Sequence, residues 1–171
     1  MTDDFASWLW ASASVGELDV DFEYLLAQDH LALGWFRTIY DDLGPIPSSR
    51  LRLLLEEARE QSSRKALEII KREVEFHKKK MIEGQVEEGP SSSIDGRRGF
   101  YFLGRELASW TVDFSVIEIG EMVQDEIMER DWEAWPVCEL HGMGLHLRVT
   151  TGQVVWWCQP GGHAVRAVYP A

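Results

Sequence analysis

The sequence predicts an α+β protein: an N-terminal helical bundle, then a hairpin-helix unit, then a small C-terminal β-hairpin. Three observations predict it. Apolar residues recur with the 3.6-residue helical period through the first half of the chain, aromatic and β-branched residues gather from residue 100 onward, and strict alternation surrounds Thr151-Gly152. With 171 residues, 45% hydrophobic content and eight tryptophans, the chain is long and apolar enough to bury a core.

Thr2 is placed to cap a first helix whose opening turn carries Asp3 and Asp4, acids that complement the helix dipole, and Gly16 is placed to end it. Trp8 and Trp10 stand two apart on this short helix, so one of them is expected outside the core. Over residues 20–43, apolar side chains at 22, 25, 26, 33, 36, 39, 40 and 43 predict a second helix, stopped by "GPIP" at 44–47. His30, beside Asp29, reads as a polar-face residue of that helix. A third helix follows from Ser48 or Ser49 to about Glu83, closed by Gly84. Its stripe comprises Leu51, Leu54, Leu55, Ala58, Ala66, Ile69, Ile70 and Val74; "QSS" at 61–63 interrupts it, and "REVEFHKKKM" reads as an exposed charged extension.

"GQVEEGPSSSIDGRRG" has no periodicity, which divides the chain into a helical region 1–84, a linker 85–99 and an α+β region 100–171. "FYFLG" and "LASWTVDFS" suggest a hairpin turned near Arg105-Glu106. In "SVIEIGEMVQDEIMERDW" the helical spacing turns Val116, Ile119, Val123 and Ile127 inward and Glu118, Glu121, Asp125 and Glu129 outward.

The net charge of -12 is segregated: -8 over residues 1–44, +3 over 45–84, -8 over 85–135 and +1 over 136–171. Such a balance disfavours nonspecific binding to phosphate backbones or anionic lipid, which need a cationic face. The start "MTDDFASWLW" lacks the basic residues of a secretory signal, and no run reaches the about 20 apolar residues that span a bilayer. The expectation is a cytoplasmic protein with no membrane association, and in that reducing compartment two cysteines suit a metal better than a disulfide.

Both cysteines and three of the five histidines lie within "CELHGMGLHLRVTTGQVVWWCQPGGH", residues 138–163. Cys138-x2-His141 and Cys158-x4-His163 form two short-spaced pairs, and two thiolates with two imidazoles make a donor set for tetrahedral zinc. If Thr150 faces Gln153 across a turn at Thr151-Gly152, then Leu147 faces Trp156 and Leu145 faces Cys158 on one side of the ribbon. His146 then points to the opposite side, which favours His163 as fourth ligand over His146; "AVRAVY" offers a third strand. Chance clustering, a buried core cysteine or a disulfide are the competing readings.

The arrangement of knuckle, hairpin and second knuckle resembles a zinc ribbon over about residues 136–169, with Trp132, Trp135 and Trp156 expected to pack it. "WPVCELHG" followed by "VVWWCQPGGH" is also similar to a C-terminal segment of actinobacterial proteins in which a WPxCxxH stretch precedes a VWxC stretch. The resemblance implies a structural zinc ion and no activity.

Other features carry less chemistry. The acidic stripe Glu118, Glu121, Asp125 and Glu129 suits a solvated helix face, a cation or a basic partner. "HKKKM" at 77–81 is the only basic cluster, and acids interleave with it. Glu126 and Glu129 precede the first knuckle, but no HExxH or deaminase signature accompanies them, and phosphate-loop, dinucleotide and nucleophile-elbow motifs are missing. The expected function is a noncatalytic adaptor or assembly component that binds another protein or itself. A zinc-ribbon regulator binding nucleic acid through Lys78, Lys79 and Lys80, and a zinc-dependent hydrolase, are the alternatives.

Overall fold

The computed structural model describes residues 4–14, 18, 20, 30–78, 80–92 and 96–168. Thr2, Gly16, the first residues of the expected second helix, the His30 side chain and Lys79 lie outside them. Mixed helix and sheet is the observed class: four helices and two three-stranded antiparallel sheets among the described residues.

Helix α1 (Asp4–Ser14) turns Trp8 and Leu9 inward, and the Trp8 indole N–H donates to Ile46 O at 2.8 Å. Trp10, on the other side, stays half exposed as its spacing requires. Helix α2 (His30–Leu43) places Ala32 and Phe36 against α1, and ends where Gly44 N–H bonds back to Tyr40 O. These helices and the first turns of α3 (Ser48–Lys78), through Leu51 and Leu55, form one apolar cluster rich in aromatic rings.

Helix α3 then carries Ala66, Leu67, Ile70 and Val74 into a second, larger cluster. The "QSS" interruption leaves the helix unbroken, with Gln61 exposed and both serines turned inward. Ser62 and Ser63 are buried in a continuous helix, and the Ser62 hydroxyl donates to Trp110 O at 2.9 Å. The helix also ends at Lys78, five residues before the expected Glu83, and the chain turns back through Gly84 with φ of 104°.

The first sheet has the order β1 (Glu87–Pro90), β2 (Arg98–Phe102), β3 (Arg105–Glu106). It corrects two expectations. Strand β1 lies inside the stretch read as linker, and "LASW" forms no strand. The turn falls at Leu103-Gly104, and β3 is two residues long. Helix α4 (Val112–Asp131) begins inside "TVDFS", after Thr111 in extended conformation. Val116, Ile119, Val123 and Ile127 are fully buried as their spacing predicts.

The second sheet comprises β4 (His146–Thr150), β5 (Gln153–Cys158) and β6 (His163–Ala167) in sequential order. Its register pairs Thr150 with Gln153, Val149 with Val154 and Leu147 with Trp156, as the alternation predicts. Thr151 and Gly152 both adopt positive φ, the mirror-image turn that matches strand twist. Helix α4 lies against this sheet at Gly120, where an added Cβ would fall 2.1 Å from Leu147 Cδ1. Only glycine permits that approach. No helix among the described residues is long and apolar enough to cross a membrane.

Candidate metal centre

Two turns, one on each side of the second sheet's hairpin, deliver the four donors. In the first, Leu145 N–H donates to Pro136 O and Cys138 N–H to Met143 O, both at 2.8 Å, and Val137 bridges Gly144. This short ribbon closes through residues 139–142, with Gly142 N–H on Cys138 O at 2.7 Å. The backbone N–H groups of His141 and Leu140 also reach the Cys138 sulfur. In the second turn β5 ends on Cys158 and β6 begins on His163, the two facing each other in register, and Gly161 N–H reaches the Cys158 sulfur. Each cysteine therefore sits at the end of an extended stretch, with the following turn's amides aimed at its sulfur.

The four donor atoms lie within 4.8 Å of one another, close enough to hold a metal ion. Nδ1 of His141 is 3.4 Å from Cys138 Sγ and 3.3 Å from Cys158 Sγ. Nε2 of His163 is 3.8 Å from Cys138 Sγ. The other nitrogen of His163 faces Gly161 O at 3.3 Å. A carbonyl only accepts, so that contact puts the proton on Nδ1 and leaves the Nε2 lone pair facing the cluster. The sulfurs are buried while the imidazoles form the outer side, His141 exposed and His163 partly so.

The two thiols are unequal. Burial raises Cys138, but the His141 ring and the amides of His141 and Leu140 outweigh it and hold the thiol at about 6. Cys158 is raised, by burial first and then by the neighbouring Cys138, against one amide bond from Gly161. Both cysteines are free, so the disulfide reading is not realised in this structure.

Two supporting features escape a reading of the sequence. Gly161 is wedged between the imidazoles, where a Cβ would lie 2.5 Å from His141 and 2.6 Å from His163. Its role is space, beyond the chain freedom that a Pro-Gly-Gly turn advertises. The second feature is Glu73, buried at 8% exposure on α3, within the stretch expected to be an exposed charged extension. It accepts from the Trp156 indole at 2.7 Å and from Arg166 Nε at 3.1 Å and Nη2 at 2.5 Å. One carboxylate thus ties α3 to β5 and β6, the strands that carry Cys158 and His163. Nothing in "REVEF" separates Glu73 from Glu75, because the two hydrogen-bond donors that fix it, Trp156 and Arg166, lie 83 and 93 residues away in sequence.

Among the described residues the metal-ligand grouping contains Cys138, His141, Cys158 and His163 and no acid. His146 is exposed on β4 and does not join it. Trp135 and Trp156 pack edge to face at 5.4 Å, whereas Trp132, expected to help cover the hairpin, is 91% exposed. The basic cluster is neutralised at two of its lysines: Lys78 bonds Glu133, and Lys80 bonds Asp131 at 2.7 Å. Asp131 is held well below the ordinary carboxylate range by Arg130 and Lys80. Comparison with protein-family models, curated proteins and solved structures yields no match.

Proposed function

We propose that this chain is a noncatalytic protein-interaction module, an adaptor or assembly component, whose C-terminal half is stapled by a structural zinc ion in a zinc-ribbon-like setting. The observation that carries the zinc reading is the edge length of the donor cluster. Zinc–sulfur bonds of about 2.3 Å and zinc–nitrogen bonds of about 2.0–2.1 Å give a tetrahedral sulfur–nitrogen edge of about 3.6 Å. Three of the four sulfur–nitrogen edges here, at 3.3, 3.4 and 3.8 Å, bracket that value, and all four donor atoms lie within 4.8 Å of one another. Two thiolates neutralise a divalent ion, and the His163–Gly161 contact supplies the outer hydrogen bond that orients a ligating imidazole.

Four protein donors leave no position for water or substrate, which argues for structure over hydrolysis. Lys78 and Lys80 are already paired, which argues against a phosphate-binding surface. Protein binding is the function class that remains, and exposed Leu140 and Met143 on the first knuckle suit it.

Metal analysis of the native chain, purified without chelators, tests this reading. One zinc per chain is expected, lost in Cys138→Ser and Cys158→Ser. Gly161→Ala replaces no ligand, yet is expected to weaken zinc binding by about tenfold or more through collision with both imidazoles. A metal-free native chain, or zinc retained in both serine variants, refutes the site.

A further inference from the structure

The chain contains two cysteines, and the fold brings them to one point from separate turns. Both are free and buried, and each sulfur lies within hydrogen-bonding reach of the other. Nδ1 of His141 touches both, at 3.4 and 3.3 Å. Two thiols so placed have a second use besides holding a metal, which is to be joined. A disulfide and a metal site are then two states of one pair, because the same sulfurs cannot serve both at once.

The composition of the grouping makes the exchange all or none. It holds two sulfurs, two imidazoles and no acid, and His146 stands outside it. The two thiolates carry all the negative charge that this grouping offers a divalent ion. Joining them leaves two neutral imidazoles, half of the four protein donors that a structural zinc ion requires. The backbone also permits the sulfurs to close. Each cysteine ends an extended stretch, and the turns that follow, residues 139–142 and 159–162, are exposed and belong to neither apolar cluster. Exposure of Cys138 and Cys158 is only 2% and 0%, which favours a small oxidant over a bulky disulfide partner.

We infer that the site is a redox switch, in which a hydroperoxide joins Cys138 to Cys158 and thereby releases the metal. The inference rests on the zinc half of the proposed function and names how that site is regulated. One sulfur attacks a peroxide oxygen: an S–O bond forms, the O–O bond breaks, and the departing hydroxide takes a proton and leaves as water. The second sulfur then attacks the first: the S–S bond forms, the S–O bond breaks, and a second hydroxide takes a second proton. Two thiolates lose two electrons, the peroxide gains them, and the ion departs with both of its charges. His141 and His163 are freed together. His141 lies on the knuckle that exposes Leu140 and Met143, so oxidation is transmitted to the surface assigned to protein binding.

The test treats the full zinc-loaded chain with hydrogen peroxide. A metallochromic dye reads released zinc, maleimide labelling counts thiols, and mass spectrometry of the digested chain identifies the linkage. Two thiols are expected to vanish for each zinc released, giving a Cys138–Cys158 cross-link in a monomeric chain. Dithiothreitol followed by zinc is expected to restore both thiols and metal. Met81, 78% exposed, serves as an internal clock for indiscriminate damage, and the cross-link is expected before Met81 gains oxygen. Zinc retained with both thiols intact would overturn the inference. So would release that begins only with Met81 oxidation, or sulfinic acids or links between chains in place of the internal disulfide. Metal content measured before peroxide separates the two readings. A native chain without zinc refutes the metal site and this switch with it; zinc bound at the start and kept throughout refutes the switch alone.

Discussion

The two apolar clusters share helix α3 but are held together by different means. The N-terminal cluster is aromatic packing: Phe5, Trp8 and Tyr40 lie with ring centroids 5.3 to 6.0 Å apart, and Phe36 meets Trp110 edge to face at 5.8 Å. Trp8 adds a hydrogen bond to Ile46 O, and the Arg37 guanidinium lies 4.8 Å over the Phe5 ring. The C-terminal cluster packs as well, but it adds two chemically specific ties, the Cys/His grouping and the Glu73 carboxylate. Between them sits a polar seam of Ser62, Ser63 and the Trp110 carbonyl. Trp110 belongs by sequence to the C-terminal half and by packing to the N-terminal cluster, so the halves are interlocked at that residue.

If the ties differ in kind, perturbations should separate them. If the grouping holds zinc as proposed, stripping the metal is expected to have the largest effect, withdrawing up to about 10 kcal/mol of binding free energy from the second sheet, because ion binding and folding of a small metal site are one process. Hydrogen exchange should then rise over residues 138–167 and stay unchanged over α2 and the first turns of α3. Phe36→Ala should do the opposite. Removing a ring at 0% exposure costs about 3–5 kcal/mol through lost burial and the cavity left behind. Exchange should rise in α1 and α2, with metal content retained. If both perturbations melt the whole chain together, the clusters form one cooperative unit and the contrast between them fails.

The legible parts of the fold are those where local pattern and tertiary outcome agree. The β4–β5 register could be written down from the sequence because alternation allows one pairing that keeps Leu147, Val154 and Trp156 on one face, and Thr151-Gly152 pins the turn. The Cys/His grouping was legible for the same reason, since the register sends His146 away from Cys158. Strand β1 was not legible. "EEGP" has no apolar alternation of its own and is extended because it pairs with β2, whose Phe100 and Phe102 are buried. "TVDFS" misled in the other direction: its β-branched and aromatic residues have strand propensity, yet burial of Val116 and Ile119 pulls the segment into α4. Gly161 and Glu73 acquire their roles from contacts that only the fold creates, Gly161 beside the His141 ring and Glu73 beneath Trp156 and Arg166, and local spacing does not encode them.

Two smaller effects sharpen the contrast. Glu73→Gln keeps an acceptor for the Trp156 indole but leaves Arg166 facing a neutral amide, at a cost of about 1–3 kcal/mol. Loss should fall on β5 and β6, read as faster exchange there and a shifted tryptophan emission, with α1 and α2 silent. A spread of the effect into α1 would show that α3 transmits strain between the clusters.

The smallest effect concerns the first sheet, which has no metal tie. Burial raises the Glu106 carboxyl, but hydrogen bonds from the Ser92 and Ser91 hydroxyls and the Ser92 amide outweigh it and hold the group below its ordinary 4.5. A depressed carboxyl contributes stability that is present above the unfolded value and is lost as pH falls through the folded one. Stability should therefore decline below pH 4.5, and Glu106→Gln should flatten that part of the profile while lowering stability at neutral pH. A zinc ion at the proposed centre would also be released on acidification, because protons compete for thiolate and imidazole, so the comparison belongs in Cys158→Ser chains, which lack one of the proposed ligands. If the acid slope survives Glu106→Gln in that background, another carboxylate governs the first sheet. If it vanishes, the first sheet is fixed by one carboxylate gripping Ser91 and Ser92, an electrostatic tie that is neither the aromatic packing of one cluster nor the Cys/His grouping of the other.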